Sequence, residues 1–406
     1  MLFGGNYLFR SHDRGDTWEI ISPDLSTADT AFVNPESGGL TRDVTSAETH
    51  ATLITVAESP VVPGVIWAGT DDGRVHVTRD DGRTWTDVGL HLPDDVHRLW
   101  VSRVEPSHFE AGTAYVSKDG HRSDEFTPWI FKTTDYGATW TRISGGLPDG
   151  HPIYVVREDP KNPELLYAGS EFAAFFSVDG GATWGDLGVG LPTVAVHDLI
   201  IHPREGDVIA ATHGRSVWIL DDVTPLQQLT QSVRRSAVHI FEQKTATLWQ
   251  GISRGATRGH KLFMGRNPLT IEQEPPGNSP NELVNRAAIS FWLASDGNAE
   301  VEISTVDGAR SVSLDIEGHA GVNRFMWDLR WAPSPDQVAR FEQQMERARE
   351  QFGGQLPGFF RNQGPQGEAA GVGTYRIRVT ANGRSAEGTI RVRPDPGTQG
   401  VLPSVR

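Results

Sequence analysis

Apolar positions along this chain come in short runs that alternate with polar ones, and the runs are separated by clusters of Gly, Pro, Asp and Asn. A period of two places every second side chain on the same face of an extended segment, so the pattern predicts many half-buried β-strands joined by tight turns. In one well-marked stretch the strands fall at 53–57, 65–68 and 75–78, with a fourth starting at Trp85.

Comparing the chain with itself shows that this stretch is a repeat. The pattern hydroxyl, any, Asp, any, Gly, any, Thr, Trp occurs at 11–18, 78–85, 133–140 and 177–184. The Pro-containing segment 58–70 upstream of the second copy also matches 158–170 upstream of the fourth. Each copy suits a hairpin: an Asp carboxylate accepts turn N–H groups, Gly tolerates a positive φ, and Trp opens the next strand facing a neighbouring sheet. Three strands, this motif and a fourth strand make a four-stranded propeller blade. Blades are predicted at 50–92, 97–148, 151–192 and 194–222, the last without its motif, and 1–25 reads as a blade lacking its inner strand. Asp13, Asp80, Asp135 and Asp179 are therefore expected to hold hairpins together.

Four and a half blades do not close an ordinary ring, and an open array leaves an apolar blade face and sheet edges bare. The expectation is a C-terminal portion of a propeller, completed by a second chain or by further N-terminal blades. The propeller portion is placed at 1–222 and a linking segment at 223–280. Alternation returns at 288–294, 299–306, 311–316, 322–329, 374–380 and 386–392, with turn signals at Asp307-Gly308 and Asn382-Gly383. That predicts an immunoglobulin- or fibronectin-like β-sandwich over 281–396 and a tail at 397–406. One helix is expected inside it at 336–352, with Val338, Phe341, Met345, Ala348 and Phe352 on one face packed against the sandwich, and 353–373 as the return loop. The fold class is all-β.

Composition narrows the functions. The 44 Gly, 25 Pro and 12 Trp suit short strands and tight turns. A net charge of −15 without a basic stripe argues against a nucleic-acid partner. The absence of cysteine excludes disulfides and thiolate metal sites. No apolar run is long enough for a membrane helix. His197, His202 and His213 are spread over one blade without the close pairing of a zinc site and read as strand-end histidines, so neither a metal nor a cofactor is expected. No Gly-rich phosphate cradle opens a helix.

Blade topology also says where chemistry could sit. The motif hairpins and the turns after the inner strands share one face; the loops between blades and between second and third strands share the other, where a ligand would meet the protein. That second face gathers Arg42, Asp43, Glu48 and His50 from the long segment 24–50. To these it adds Asp71, Asp72, His121, Arg122, Glu171, His213 and Arg215. Carboxylates there could do general acid and base work, with Asp43, Glu48 and Asp72 as the catalytic candidates, and the others could bind. Solvated loop charges account for the same residues.

With the four motifs, the segment 213–222 and the segment 321–330 together, the chain resembles the bacterial BNR-repeat proteins labelled glycosyl hydrolase or sortilin-like, whose motif is the Asp-box. The resemblance covers nearly the whole length. It implies a longer N-terminal propeller portion and an export signal, hence a periplasmic or extracellular location, neither of which segment is present here. Asp-boxes also occur in sialidases, xyloglucanases, sortilin-type receptors and photosystem assembly factors, so the label does not fix an activity. A sialidase would need three arginines gripping the sugar carboxylate and a Tyr–Glu nucleophile pair, preceded by an Arg-Ile-Pro-like segment; that segment is missing, and Tyr7, Tyr115 and Tyr167 fall at predicted strand positions and read as core. A xyloglucanase-like site needs two carboxylates facing across a cleft between propellers. Three readings follow: a non-catalytic scaffold holding a glycan or protein segment on the loop face, a glycoside hydrolase using loop-face carboxylates, and a protein assembly factor.

Overall fold

A computed structural model describes residues 1–29, 50–187, 190–248, 286–353 and 364–394. The chain divides into two compact units, Met1–Gln227 and Gln228–Arg406.

The first unit is a run of β-propeller blades. Three of its sheets have four antiparallel strands in sequence order, beginning with the inner strands Leu53–Glu58, Trp100–Pro106 and Ile153–Asp159. The first blade has three strands, Leu2–Gly4, Leu8–Arg10 and Glu19–Ile20, and the fifth has three, Val196–Ile201, Val208–Thr212 and Val217–Leu220. By position relative to the motif, and among the described residues, the first lacks its inner strand and the fifth its outer one. Alternation explains the packing: along Ile66–Thr70 one set of side chains, Ile66 and Ala68, meets Leu8 of the blade before and Leu53 of its own inner strand, while Trp67 joins Val101, Val116 and Phe131 of the blade after.

All four motif copies close in the same way. The Asp carboxylate accepts the Thr N–H, the Thr hydroxyl and the hydroxyl of the leading Ser or Thr, at 2.6 to 2.9 Å. Gly15, Gly82, Gly137 and Gly181 all take a positive φ there. These hydrogen bonds, the Thr hydroxyl's first, hold Asp13, Asp80 and Asp135 below the usual carboxylate range. The turn after the inner strand lies beside the motif in three blades, through Asp81 N–H to the Gly64 carbonyl, Tyr136 to Gly112 and Gly180 to Glu164. This is the face assignment expected from topology.

The motif also joins blades. Trp85 donates its indole N–H to the Ile21 carbonyl at 2.9 Å, Trp140 to Val88 at 3.0 Å and Trp184 to Ile143 at 2.7 Å. Each acceptor lies three residues past the preceding motif tryptophan. Buried carboxylates add to this joining. Glu158, 1% exposed, accepts from Ser107, the His108 N–H and Tyr115, and Asp159 accepts from Gln227 and Tyr167. Tyr115 and Tyr167 are thus core, as predicted, whereas Tyr7 sits half-buried in the turn between the first two strands.

The second unit is a two-sheet sandwich. One sheet orders Val238–Ile240, Ala287–Leu293 and Gly321–Trp327; the other orders Ala246–Leu248, Arg384–Pro394, Gly373–Ala381, Gly297–Thr305 and Ser311–Gly318. Their inward side chains, among them Phe291, Trp327, Val301, Ile303, Ile377 and Val379, form one core. The stretch 223–280 is therefore not purely linking, because Val238–Ile240 and Ala246–Leu248 each add an edge to a sheet. Three residues are too few to carry an alternation signal. The helix forms at Pro335–Gln351 with a Ser334/Gln337 capping box. Ala348 is buried and Val338, Phe341 and Met345 are half-buried, but Phe352 is 45% exposed at the cap, off the face it was expected to share.

Candidate functional site

Each inner strand carries a β-bulge near its start. The register skips Ile54 against Thr70 and Gly69, and in the next three blades it skips Ser102, Tyr154 and His197 at the matching point. A bulge frees one residue from the ladder and re-aims its side chain. The bulged strand ends adjoin the loops between second and third strands, and the irregularity re-aims the freed side chains: Ser102 gives its hydroxyl to the Ile153 carbonyl of the next blade, while Tyr154 and His197 come together at the loop face.

At the third to fifth blades those side chains build a contiguous group. Tyr154 and His197 stack, with ring centres 4.3 Å apart, and His213 meets His197 edge-on at 4.9 Å. His121 approaches the edge of Tyr154 at 6.1 Å. The Tyr154 hydroxyl donates to the Glu171 carboxylate. Asp119, 5% exposed, receives the His121 N–H at 3.1 Å and its Nδ1 at 2.7 Å. Arg122 lies 3.6 Å over the Trp100 ring and 3.8 Å from Asp119. Burial, followed by the bond to Glu171, raises the Tyr154 phenol, and burial, followed by His213, lowers His197, so both side chains are neutral at pH 7. The result is a partly exposed aromatic surface flanked by two held carboxylates and one guanidinium.

A second group lies at the second blade. Asp72, 6% exposed, accepts the Thr27 N–H at 2.6 Å, the Thr27 hydroxyl at 2.7 Å and the Thr70 hydroxyl at 2.5 Å. Asp71 accepts the Thr52 N–H at 2.8 Å and lies 3.8 Å from His50; burial raises its carboxyl above the usual range. These bonds tie Thr27 and the start of the inner strand to the loop.

The sequence candidates therefore separate. His121, Arg122, Glu171 and His213 come together; His50, Asp71 and Asp72 form the second group; exposed Arg215 gives its carbonyl to the Trp218 indole. Arg42, Asp43 and Glu48 lie outside the described residues. Trp100, Asp119 and Tyr154 were not singled out by sequence, and His197 was read as a strand end. Tyr154 and His197 hold matching places in consecutive repeats, and an alignment carried past the motif into the inner strands would have found them. Among the described residues, no group of His, Cys, Asp or Glu is arranged to hold a metal ion, and no helix is long and apolar enough to cross a membrane.

The repeat, its joints and the two-sheet second unit settle the architecture. The chain is a stretch of β-propeller followed by a β-sandwich. No protein-family model and no curated protein matches it. Among solved structures it is similar to the GH74 xyloglucanase of Xanthomonas campestris, at 23% identity and a TM-score of 0.41, over 55% of this chain and 34% of that one. It is similar to the Niastella koreensis GH74 enzyme at 20% identity and a TM-score of 0.41, over 54% and 34%. YCF48 bound to D1 peptide aligns at 18% identity and a TM-score of 0.33, over 42% of this chain and 51% of that one. The chain thus spans about a third of the length of the two GH74 proteins.

Proposed function

We propose that this protein is a non-catalytic recognition scaffold whose loop face holds a glycan at the rim of the third to fifth blades. The reading rests on one observation: Asp119 and Glu171 are each held by a neighbour, His121 and Tyr154, beside an exposed aromatic surface. Carboxylates fixed in this way offer oriented acceptors to sugar hydroxyls, and aromatic faces take the apolar side of a sugar ring. A glycoside hydrolase instead needs two carboxyl groups facing the scissile bond, one of them free to give up a proton. Asp72, closed in by Thr27 and Thr70, suits a holding role better than that one.

A glycan array probed with the full chain, in parallel with hydrolysis assays on plant and bacterial polysaccharides, tests the reading. Binding without turnover is expected, weakened about tenfold by Tyr154→Ala, the equivalent of about 1.4 kcal/mol. Turnover lost in Asp43→Asn or Glu48→Gln would replace the scaffold by a hydrolase. Co-purification of a protein segment sensitive to Tyr154→Ala, with no glycan bound, would replace it by an assembly factor.

A further inference from the structure

The larger sheet of the second unit buries one face and leaves the other open. Alternation along Gly373–Ala381 and Arg384–Pro394 turns Tyr375, Ile377, Val379, Ile390 and Val392 into the core, and Arg376, Arg378, Thr389, Arg391 and Arg393 outward. The register sorts the outward residues into rows. Arg376 stands between Thr389 and Ser304, with Ser311 beyond; the next row holds Glu387, Arg378, Glu302 and Ser313. On the other side of Arg376, Arg391 pairs with Thr374 and Arg393 with Thr247.

Charge is divided across this face. Arg378 is held by Glu387 at 2.7 Å and Glu302 at 3.4 Å, and carboxylates continue beyond it with the cross-strand pair Glu300 and Asp315. In the other direction the rows carry no carboxylate. Arg376 and Arg391 are exposed, and their side chains have no hydrogen bond or ion pair among the described residues, while Arg393 donates to the Thr247 hydroxyl at 3.0 Å. Diagonal neighbours on paired strands and alternate residues on one strand both lie about 7 Å apart, so Arg393, Arg391 and Arg376 form a stepped line of cations. These charges repel one another, and Thr374, Thr389, Ser304 and Ser311 place hydroxyls beside them. A cleft of about 390 Å³ opens at Arg376, lined also by Glu302, Ser304, Arg378, Glu387 and Thr389.

We propose that this face binds a carboxylate-bearing polysaccharide, a polyuronate, laid along Arg393, Arg391 and Arg376 with a sugar ring in the cleft. A chain of repeated carboxylates matches a line of guanidinium groups, each able to take a carboxylate through two N–H groups, and the hydroxyls pair with those of the sugars. The acidic rows beyond Arg378 repel the same chain and set its course. The cationic rows offer no aromatic face for a nucleobase and no apolar side chain to enter a membrane. The net charge of −15 acts weakly here, because at about 0.1 M salt charges more than about 10 Å away are screened. The site uses residues of the second unit alone, so it is independent of the loop-face reading.

Polygalacturonate and its methyl ester share a backbone and differ in the charge of the carboxyl group. Calorimetric titration of the full chain with each, at low and moderate salt, tests the assignment. Binding is expected for polygalacturonate alone, weakening as salt rises. Arg376→Gln with Arg391→Gln should weaken it about tenfold. Arg376→Lys with Arg391→Lys keeps the charges and should recover most of that loss, and Arg384→Gln, at the far end of the same strand, should leave binding unchanged. Failure to bind polygalacturonate, equal binding of the methyl ester, or undiminished binding by the glutamine pair overturns the proposal. Loss of binding in Tyr154→Ala, with none in the glutamine pair, would overturn it by moving the ligand to the loop face. Vesicles of phosphatidylserine and phosphatidylcholine, or duplex DNA, bound in place of polygalacturonate would overturn it in favour of another polyanion.

Discussion

Lys118 shows how far a single residue can depart from its sequence appearance. On an alternating strand it reads as a solvent-facing lysine, yet it is wholly buried, donating to the Gly73 carbonyl at 2.6 Å and the Leu99 carbonyl at 3.3 Å. It thereby pins the loop of the second blade that carries Asp71 and Asp72. Burial lowers the amine to about 7, against the pull of Asp87 and Asp72. The unfolded amine titrates near 10.5, so between pH 7 and 10.5 the unfolded chain binds a proton that the folded chain does not. Stability should therefore rise with pH across that window, by up to about 1.4 kcal/mol per pH unit, and the cost of a buried charge is fully present below it. Urea titrations of the first unit at pH 7, 8 and 9 are expected to show a rising midpoint, and Lys118→Met should remove the slope. A slope that survives the substitution assigns it to other groups. The motif aspartates were legible because recurrence marks them. Lys118 was not, because its partners Gly73 and Leu99 come from segments that a local pattern does not see.

At the scale of the element, the motif was readable as a hairpin with an Asp accepting turn N–H groups and a Gly at positive φ, since both act on atoms a few residues away, while the hydroxyls that also bond the Asp were not named. What the tryptophan does was not readable, because its acceptor lies in the preceding blade, 64 residues from Trp85. The same residue type should therefore have different worth in different copies. Trp85→Phe removes a half-buried indole N–H and leaves the Ile21 carbonyl unpaired, a loss expected to cost about 1 kcal/mol or more. Trp18→Phe, at an indole 43% exposed and bonded to its own turn, should cost well under that. Equal shifts in urea midpoint for the two variants would show that the inter-blade bond contributes nothing. The helix in the second unit makes a parallel case: its apolar face was legible from Val338 to Ala348, while the Ser334 cap was not singled out and the exposure of Phe352 depends on where the turn after Gln351 sends the chain.

For the whole molecule, the division into a repeat array and a sandwich was legible because hydrophobic alternation changes its spacing once the motif stops. The edge strands Val238–Ile240 and Ala246–Leu248 were hidden, being recruited by sheets that already exist rather than specified by their own pattern. Each unit has its own apolar core: the layers between blades in one, and the cluster around Phe291, Trp327 and Ile377 in the other. A core of its own lets each unit unfold separately, so calorimetry should resolve two transitions. Trp327 is 1% exposed and bonded to the Arg330 carbonyl, and Trp327→Ala is expected to destabilise its unit by about 3–5 kcal/mol. That variant should lower one transition and leave the other in place, whereas Lys118→Met should alter the pH response of the other alone. A single transition that moves with either substitution would mean that the units unfold as one cooperative body, and the ledger of separate cores would have to be redrawn around contacts that join them.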